Sequence, residues 1–167
     1  IQFILRKKLM KIFKTKLDRV IKIKLNSFED HRGYYIETYN EKLYSKFKIK
    51  FIQDDISVSK KRVLRGIHGD LKTWKLITCL YGEFHLVVVN NLKKSKEYKK
   101  WQSFRMTDKN KLQILVPPGF GNGHQVLSKK AIFHYKQSTL YDRKSQFTLN
   151  YNSDNYDWPL NRPILSN

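Results

Sequence analysis

Trp74-Lys75-Leu76-Ile77-Thr78-Cys79-Leu80-Tyr81-Gly82-Glu83-Phe84-His85-Leu86-Val87-Val88-Val89 reads as two strands joined by one turn. Trp74–Leu80 and Glu83–Val89 are short, apolar and rich in β-branched residues, and Tyr81-Gly82 between them is a turn signal. The same texture extends in both directions. Upstream lie Val20–Leu25, which alternates apolar residues with Lys, then Tyr34–Tyr39 after the turn His31-Arg32-Gly33, Phe51–Ser59 and Val63–His68. Downstream lie Trp101–Thr107, Leu112–Val116, Gly123–Leu127, Ala131–Ser138 and Gln146–Tyr151. Asn40 is placed to cap one short helix, Glu41–Phe47. Many short strands with no long helical period predict an all-β domain, closed as a barrel or folded as a jelly roll.

The 167 residues suit one domain, and 40% hydrophobic with 14% aromatic residues excludes wholesale disorder. We expect a single domain over 20–167, preceded by a basic N-terminal leader and first strand region, 1–19. Lys7, Lys8 and Lys11 break any signal-like core in Ile1–Phe13, and Met10 is a plausible start. The single cysteine, Cys79, allows no internal disulfide and points to the cytoplasm. No apolar run is long enough to cross a bilayer as a helix, so no membrane partner is expected. The net charge of +20 favours anionic partners. Its lysines are scattered in short clusters, however, so a solvated surface is expected rather than a nucleic-acid footprint.

The five histidines, His31, His68, His85, His124 and His134, show no spacing of a closed metal site, and no metal is expected. Gly119-Phe120-Gly121-Asn122-Gly123 lacks a P-loop lysine and is read as a tight turn between strands. Val63-Leu64-Arg65-Gly66-Ile67-His68-Gly69-Asp70 is more informative. A strand ending in His68 places an imidazole near a barrel mouth, where it can take a carbon-bound proton at neutral pH. Lys75, at the start of the next strand, can stabilise the resulting enolate. On residue pattern alone a purely structural histidine remains the commoner alternative.

Taken in order, the motifs resemble the nucleotide-sugar 3,5-epimerases of the cupin superfamily, over roughly 20–166. They are Asp30-His31-Arg32-Gly33-Tyr34-Tyr35-Ile36-Glu37, Phe51-Ile52-Gln53-Asp54-Asp55-Ile56-Ser57-Val58-Ser59, Leu64–His68, Lys75–Gly82 and Pro117-Pro118-Gly119-Phe120. Tyr135-Lys136 with Tyr141, Asp157-Trp158-Pro159 and Pro163-Ile164-Leu165-Ser166 complete the series. The resemblance implies a cupin-type jelly-roll β-barrel, a homodimer paired through Val20–Leu25 and Tyr34–Tyr39, and no cofactor. It implies His68 as base, Lys75 as the enolate-stabilising cation and Tyr135, rather than Tyr141, as acid on the opposite ring face. Arg32, Tyr35, Glu37, Gln53, Arg65, Asn122 and His124 are the implied contacts to the nucleotide, pyrophosphate or sugar.

Asn122 stands where the family often has His, with His124 two residues on, and Asp55 where Asn is common. The family's carboxylate partner of the base lies just past Pro163–Ser166, and the sequence reads Asn167 there as its last residue. With His68-Gly69-Asp70, these differences resemble the branch acting on GDP-linked 4-keto-heptoses for capsular polysaccharide or lipopolysaccharide. The expected reaction is epimerisation at C3, with C5 as a second centre, of a nucleotide-linked 4-keto-6-deoxy sugar or heptose. A 3,4-ketoisomerase of the same superfamily and a non-catalytic basic barrel that binds nucleic acid are the alternatives.

Overall fold

In a computed structural model, which describes residues 10–166, alternating strands build two facing sheets. In chain order the strands are β1 (Met10–Lys14), β2 (Ile21–Leu25), β3 (Ser27–Asp30), β4 (Gly33–Ile36), β5 (Gln53–Lys60), β6 (Leu64–Gly69) and β7 (Lys75–Tyr81). There follow β8 (Glu83–Asn90), β9 (Trp101–Thr107), β10 (Leu112–Val116), β11 (Phe120–Val126), β12 (Lys130–Gln137) and β13 (Phe147–Thr148). One sheet runs β1-β2-β10-β7-β12-β5 and the other β13-β6-β11-β8-β9, with β3-β4 as a separate hairpin. The helix α1 (Glu41–Tyr44) starts at Asn40, whose side chain accepts from the Leu43 N–H, and continues as one 3₁₀ turn, Ser45–Phe47.

Side chains alternate across each strand, so one face of every strand is dedicated to the space between the sheets. Ile77 and Cys79 of β7, Phe84, Leu86 and Val88 of β8, Phe120 and Val126 of β11 and Phe133 of β12 fill that space. Full burial of each large apolar side chain contributes roughly 1.5–3 kcal/mol. Cys79 donates weakly to the Tyr81 and Gly82 carbonyls, and burial pushes its thiol up to about 12. The outer face of the six-stranded sheet is covered by Tyr44 of α1, packed on Ile23, Leu76 and Leu115. Tyr156 from the C-terminal segment covers Ile67, Val87 and Val89 on the outer face of the other sheet.

Two expectations need correction. The glycine run is not a turn beyond Gly119: Phe120 begins a central strand paired with β8 along its whole length and with β6. Its glycines are there because β6 lies against them. A Cβ on Gly123 would sit 2.9 Å from Ile67 Cγ1 and 3.0 Å from the Arg65 carbonyl. Second, β2 is paired on both sides, by β1 and β10, so Val20–Leu25 offers no free edge for a dimer. β3 has no counterpart among the expected strands, whereas β1 falls in the expected first strand region. Of the 1–19 region, residues from Met10 hold β1 and the buried Leu17, and 1–9 lie outside the described residues.

The contact between β6 and β11 decides which side chains face inward. His68 pairs with Asn122 and Arg65 with His124, so three steps on β6 match two on β11. That bulge turns Arg65 and His68 to one face despite their odd spacing. Gly66 sits inside it at φ +112°, where a Cβ would lie 2.5 Å from Gly123 Cα and 2.7 Å from the Asn122 oxygen. Both obstacles are backbone and cannot swing aside. Gly33, at φ +123° with nothing within 4 Å, supplies the control. Gly66→Ala is therefore expected to cost about 3 kcal/mol or more, whereas Gly33→Ala loses only the backbone term of about 1 kcal/mol. Urea unfolding of the two variants checks this, and equal losses would contradict the bulge argument.

Candidate active site

Where β7 begins and β12 ends, the space between the sheets changes from apolar to polar and opens as a cavity of about 530 Å³. The change follows from sequence, because the inward positions there are polar. They are Ser57 on β5, Arg65 and His68 on β6, Lys75 on β7, Asn122 and His124 on β11 and Tyr135 and Gln137 on β12. A larger, more open cleft of about 1330 Å³ lies at the opposite end, around the Tyr81-Gly82 turn and Lys60, Lys109 and Lys130. It gathers lysines but no histidine or other base near neutral pH, so the smaller cavity is the candidate site.

His68 and Lys75 meet there from opposite sheets. Burial, and then the nearby Lys75 charge, hold the His68 pKa below its ordinary 6.5. Its Nδ1 lies 3.0 Å from Thr148 Oγ1 on β13. Lys75 is nearly buried, and its Nζ is 3.5 Å from Asn122 Oδ1. Burial pulls its pKa below 10.5, opposed by the field of Asp70. Asp70 is itself buried, which alone would raise its pKa. Hydrogen bonds from Thr73, from the Lys72 N–H (2.7 Å) and from Gln146 Nε2 (3.0 Å) outweigh this and keep it ionised. The cation therefore has a fixed counter-charge behind it while its head faces the cavity side.

Tyr135 pairs across the sheet with Asp55 and Ile77. Burial raises its pKa above 10, with Asp55 and Tyr141 adding to the shift, so it is a protonated phenol at neutral pH. His124 stacks on Phe133 with ring centroids 4.1 Å apart, and burial followed by the Arg65 charge drives its pKa down to about 3. It is a neutral imidazole under all ordinary conditions. Arg65 donates from Nε to Ser59 Oγ at 3.0 Å.

Of the residues named from sequence, His68, Lys75, Tyr135, Arg65, Asn122 and His124 line this one cavity. Arg32, Tyr35, Glu37 and Gln53 do not. Arg32 follows β3, exposed and paired with Asp30 at 2.5 Å, and Tyr35 on β4 is 67% exposed. Glu37 follows β4 and has Oε1 buried without a partner. Gln53 Oε1 accepts from the Tyr141 N–H at 2.8 Å, so it steadies the loop that brings Tyr141 to the cavity. Sequence reading did not single out Arg143 and Gln146, which line the cavity from the loop after β12, or Thr148, which lines it from β13. His85 lies outside, bonded through Nε2 to Asp157 at 2.8 Å. Among the described residues, the charged groups that line the cavity are cationic, Arg65, Lys75 and Arg143, which suits a phosphorylated ligand.

Comparison with known proteins first places the chain among the epimerases built on the cupin fold. The structure from Elizabethkingia anophelis, a dTDP-4-dehydrorhamnose 3,5-epimerase, superposes with TM-score 0.86 at 36% identity, covering 95% of this chain and 92% of that one. The Legionella pneumophila 3,5-epimerase in complex with dTDP-4-keto-L-rhamnose gives 0.89 at 33%, covering 94% and 88%. In sequence, the Shigella flexneri dTDP-4-dehydrorhamnose 3,5-epimerase is 34% identical over 165 residues, 94% of this chain and 91% of that enzyme. The family model described as dTDP-4-dehydrorhamnose 3,5-epimerase matches residues 14–167. The chain belongs to that family, and it is an isomerase. Among the described residues, no helix is long and apolar enough to cross a membrane.

A base works deprotonated and an enolate-stabilising ammonium works protonated, which fixes the sign of the pH dependence. Activity is expected to fall on the acid side through a pKa below 6.5, as His68 takes a proton, and on the alkaline side below 10.5, as Lys75 loses one. A rate profile across pH checks both limbs. An acid limb above 6.5 would remove His68 as the titrating base.

Proposed function

We propose that the chain epimerises C3, with C5 as a second centre, of a nucleotide-linked 4-keto-6-deoxy sugar. The observation that carries this reading is that His68 enters the cavity from one sheet while Lys75 and Tyr135 enter from the other. A sugar ring held between the sheets has a base on one face and a phenol on the opposite face. His68 Nε2 takes the proton from carbon, and the bonding electron pair moves toward the C4 carbonyl, whose developing negative charge Lys75 stabilises. Tyr135 then protonates the same carbon from the other face, which inverts it. The raised pKa of Tyr135 makes the resulting phenolate quick to regain a proton. Arg65 and Arg143 suit the pyrophosphate. The only cysteine is buried and free, which fits the reducing cytoplasm as the place of this reaction.

The relatives compared above are dTDP-linked, which favours that nucleotide; GDP-linked 4-keto-heptoses for surface polysaccharide are the second substrate class to assay. We also propose a homodimer. The β5 edge is unpaired and carries Ile56 and Val58, 61% and 52% exposed. Arg32 and Tyr35 are exposed and do not line their own cavity, so a role for them in binding substrate would be across such a pair. Ile56→Lys with Val58→Lys is expected to halve the sedimenting mass, and a wild-type monomer near 20.1 kDa would refute the pairing.

Incubation in heavy water with dTDP- and GDP-linked 4-keto sugars, read by NMR, tests the reaction. Deuterium at C3 or C5 with inversion supports the proposal, a carbonyl moved to C3 indicates a ketoisomerase, and no exchange with any sugar overturns it. His68→Asn should lower exchange by about 10²–10⁴. Tyr135→Phe should keep exchange yet lose most net epimerisation, with Tyr141→Phe far milder. The reverse ranking of the two tyrosines would move the acid to Tyr141.

A further inference from the structure

We infer that Asp70 is the positioning residue for Lys75, a buried carboxylate that keeps the ammonium charged for the enolate without itself meeting the substrate. The inference rests on the epimerase reading, in which Lys75 stabilises the enolate oxygen. Among the described residues, only two side chains that carry a full charge at neutral pH are buried, Asp70 at 4% exposure and Lys75 at 9%. They have opposite signs and stand at the two ends of the turn that joins β6 to β7.

The turn is built around the carboxylate. Asp70 Oδ1 accepts from the Lys72 and Thr73 N–H groups, each at 2.7 Å, and Oδ2 accepts from Gln146 Nε2 at 3.0 Å. The Asp70 carbonyl accepts from the Gly119 N–H at 2.7 Å. Thr73 Oγ1 lies 2.6 Å from Thr139 Oγ1, and the Trp74 N–H donates to Ser138 Oγ at 2.9 Å, so the chain enters β7 on a fixed path. Lys75 is the first residue of that strand. Burial favours the neutral form of Asp70, and the donors to its carboxylate outweigh burial. The negative charge therefore does not depend on Lys75.

A buried amine sheds its proton unless a negative charge acts on it. Burial pulls Lys75 toward the neutral form, and Asp70 opposes this. The cavity groups that share its space do not. His68 and Arg65 come from β6, Asn122 and the neutral His124 from β11, Tyr135 and Gln137 from β12, and Tyr141 and Arg143 from the loop beyond it. None of these is negative at neutral pH, and the two arginines disfavour a further cation. Asp55 of β5 stands opposite Tyr135. Asp70 does not line the cavity, and its oxygens are taken up by its own donors, so it acts on Lys75 through space. The ammonium, 3.5 Å from Asn122 Oδ1, thus stays charged yet free to face the oxygen on which charge develops. As a neutral amine it would offer that oxygen no charge.

The test uses Asp70→Asn, which keeps an acceptor for the Lys72 and Thr73 N–H groups and removes the charge. Two readouts are taken. One is the carbon-13 shift of Lys75 Cε across pH without substrate, assigned by its loss in Lys75→Met. The other is the pH profile of solvent exchange at C3 or C5. Asp70→Asn should release the Lys75 proton at lower pH and carry the alkaline limb of the profile with it. At the alkaline end of the unmodified chain's plateau, kcat should fall about 10-fold or more with KM nearly unmoved, and lowering the pH should restore most of the rate. Coupling between two charges is reciprocal. Lys75→Met, with Asp70 in place, should therefore raise the pH at which the Asp70 carboxyl titrates by the shift that Asp70→Asn imposes on Lys75, a readout that stands even if Asp70→Asn does not fold. An unmoved Lys75 titration, an unmoved alkaline limb or a loss of rate equal at every pH overturns the inference, as does an Asp70 titration indifferent to Lys75→Met. Failure of the unmodified chain to act on any 4-keto sugar counts against the proposed function instead, and the two titrations then decide the pair alone.

Discussion

Two backbones meet at Gly66 and Gly123 with no room for a side chain between them, and the active cavity depends on that approach. The close contact permits a bulge in which Arg65 and His68 face the same way. Without the bulge, regular alternation would send one of them to the outer face, where Ile67 packs against Val87 and Val89. The opposite strand is equally constrained, since Asn122 and His124 face inward only because the intervening glycine yields its space to Ile67. A steric constraint on two glycines thus sets the electrostatics of the site.

Those electrostatics rest on burial balanced by a few fixed partners. Lys75 is buried enough to lose basicity, yet Asp70 behind it retains a charge through backbone and side-chain donors. His124 goes the other way: surrounded by Phe84 and Phe133 and near Arg65, it is held neutral. Two histidines close together on neighbouring strands therefore have different chemistry. His68 is held below its ordinary pKa by burial and by Lys75, while His124 is a flat polar ring packed as an aromatic.

Most strands were legible because one face of each is buried, and period-two patterning records that burial. Trp101–Thr107 and Leu112–Val116 match β9 and β10 residue for residue. The signal failed where burial fails. Four of the five β1 residues are exposed, so sequence placed a first strand region there without its bounds, and β3 is exposed along three of its four positions. Phe120–Gly123 was misread for another reason: glycines chosen for close strand approach carry the same letters as glycines chosen for a turn. In the site, His68, Lys75 and Tyr135 were recognisable by type and order. Thr148 and Arg143 were not: Thr148 lies on an expected strand but belongs to no quoted motif, and Arg143 comes from the turn before it. Arg32, Tyr35 and Glu37 matched a motif, but a motif carries no information about which cavity its side chains face.

The division of the cavity's polar side chains between two sheets has a mechanical consequence. Facing sheets stand roughly 10 Å apart, a spacing set by the side chains interleaved between them. Here those spacers are Phe84, Leu86 and Ile77, together with Phe133, whose ring also lines the polar cavity. They act as the jaws of a calliper, fixing the gap across which His68 on one sheet faces Lys75 and Tyr135 on the other. Trimming a spacer leaves a cavity that the surrounding sheets fill only in part, so the spacing itself is at stake. The apolar core of this barrel thus sets the dimensions of the candidate site, and Phe133 belongs to both.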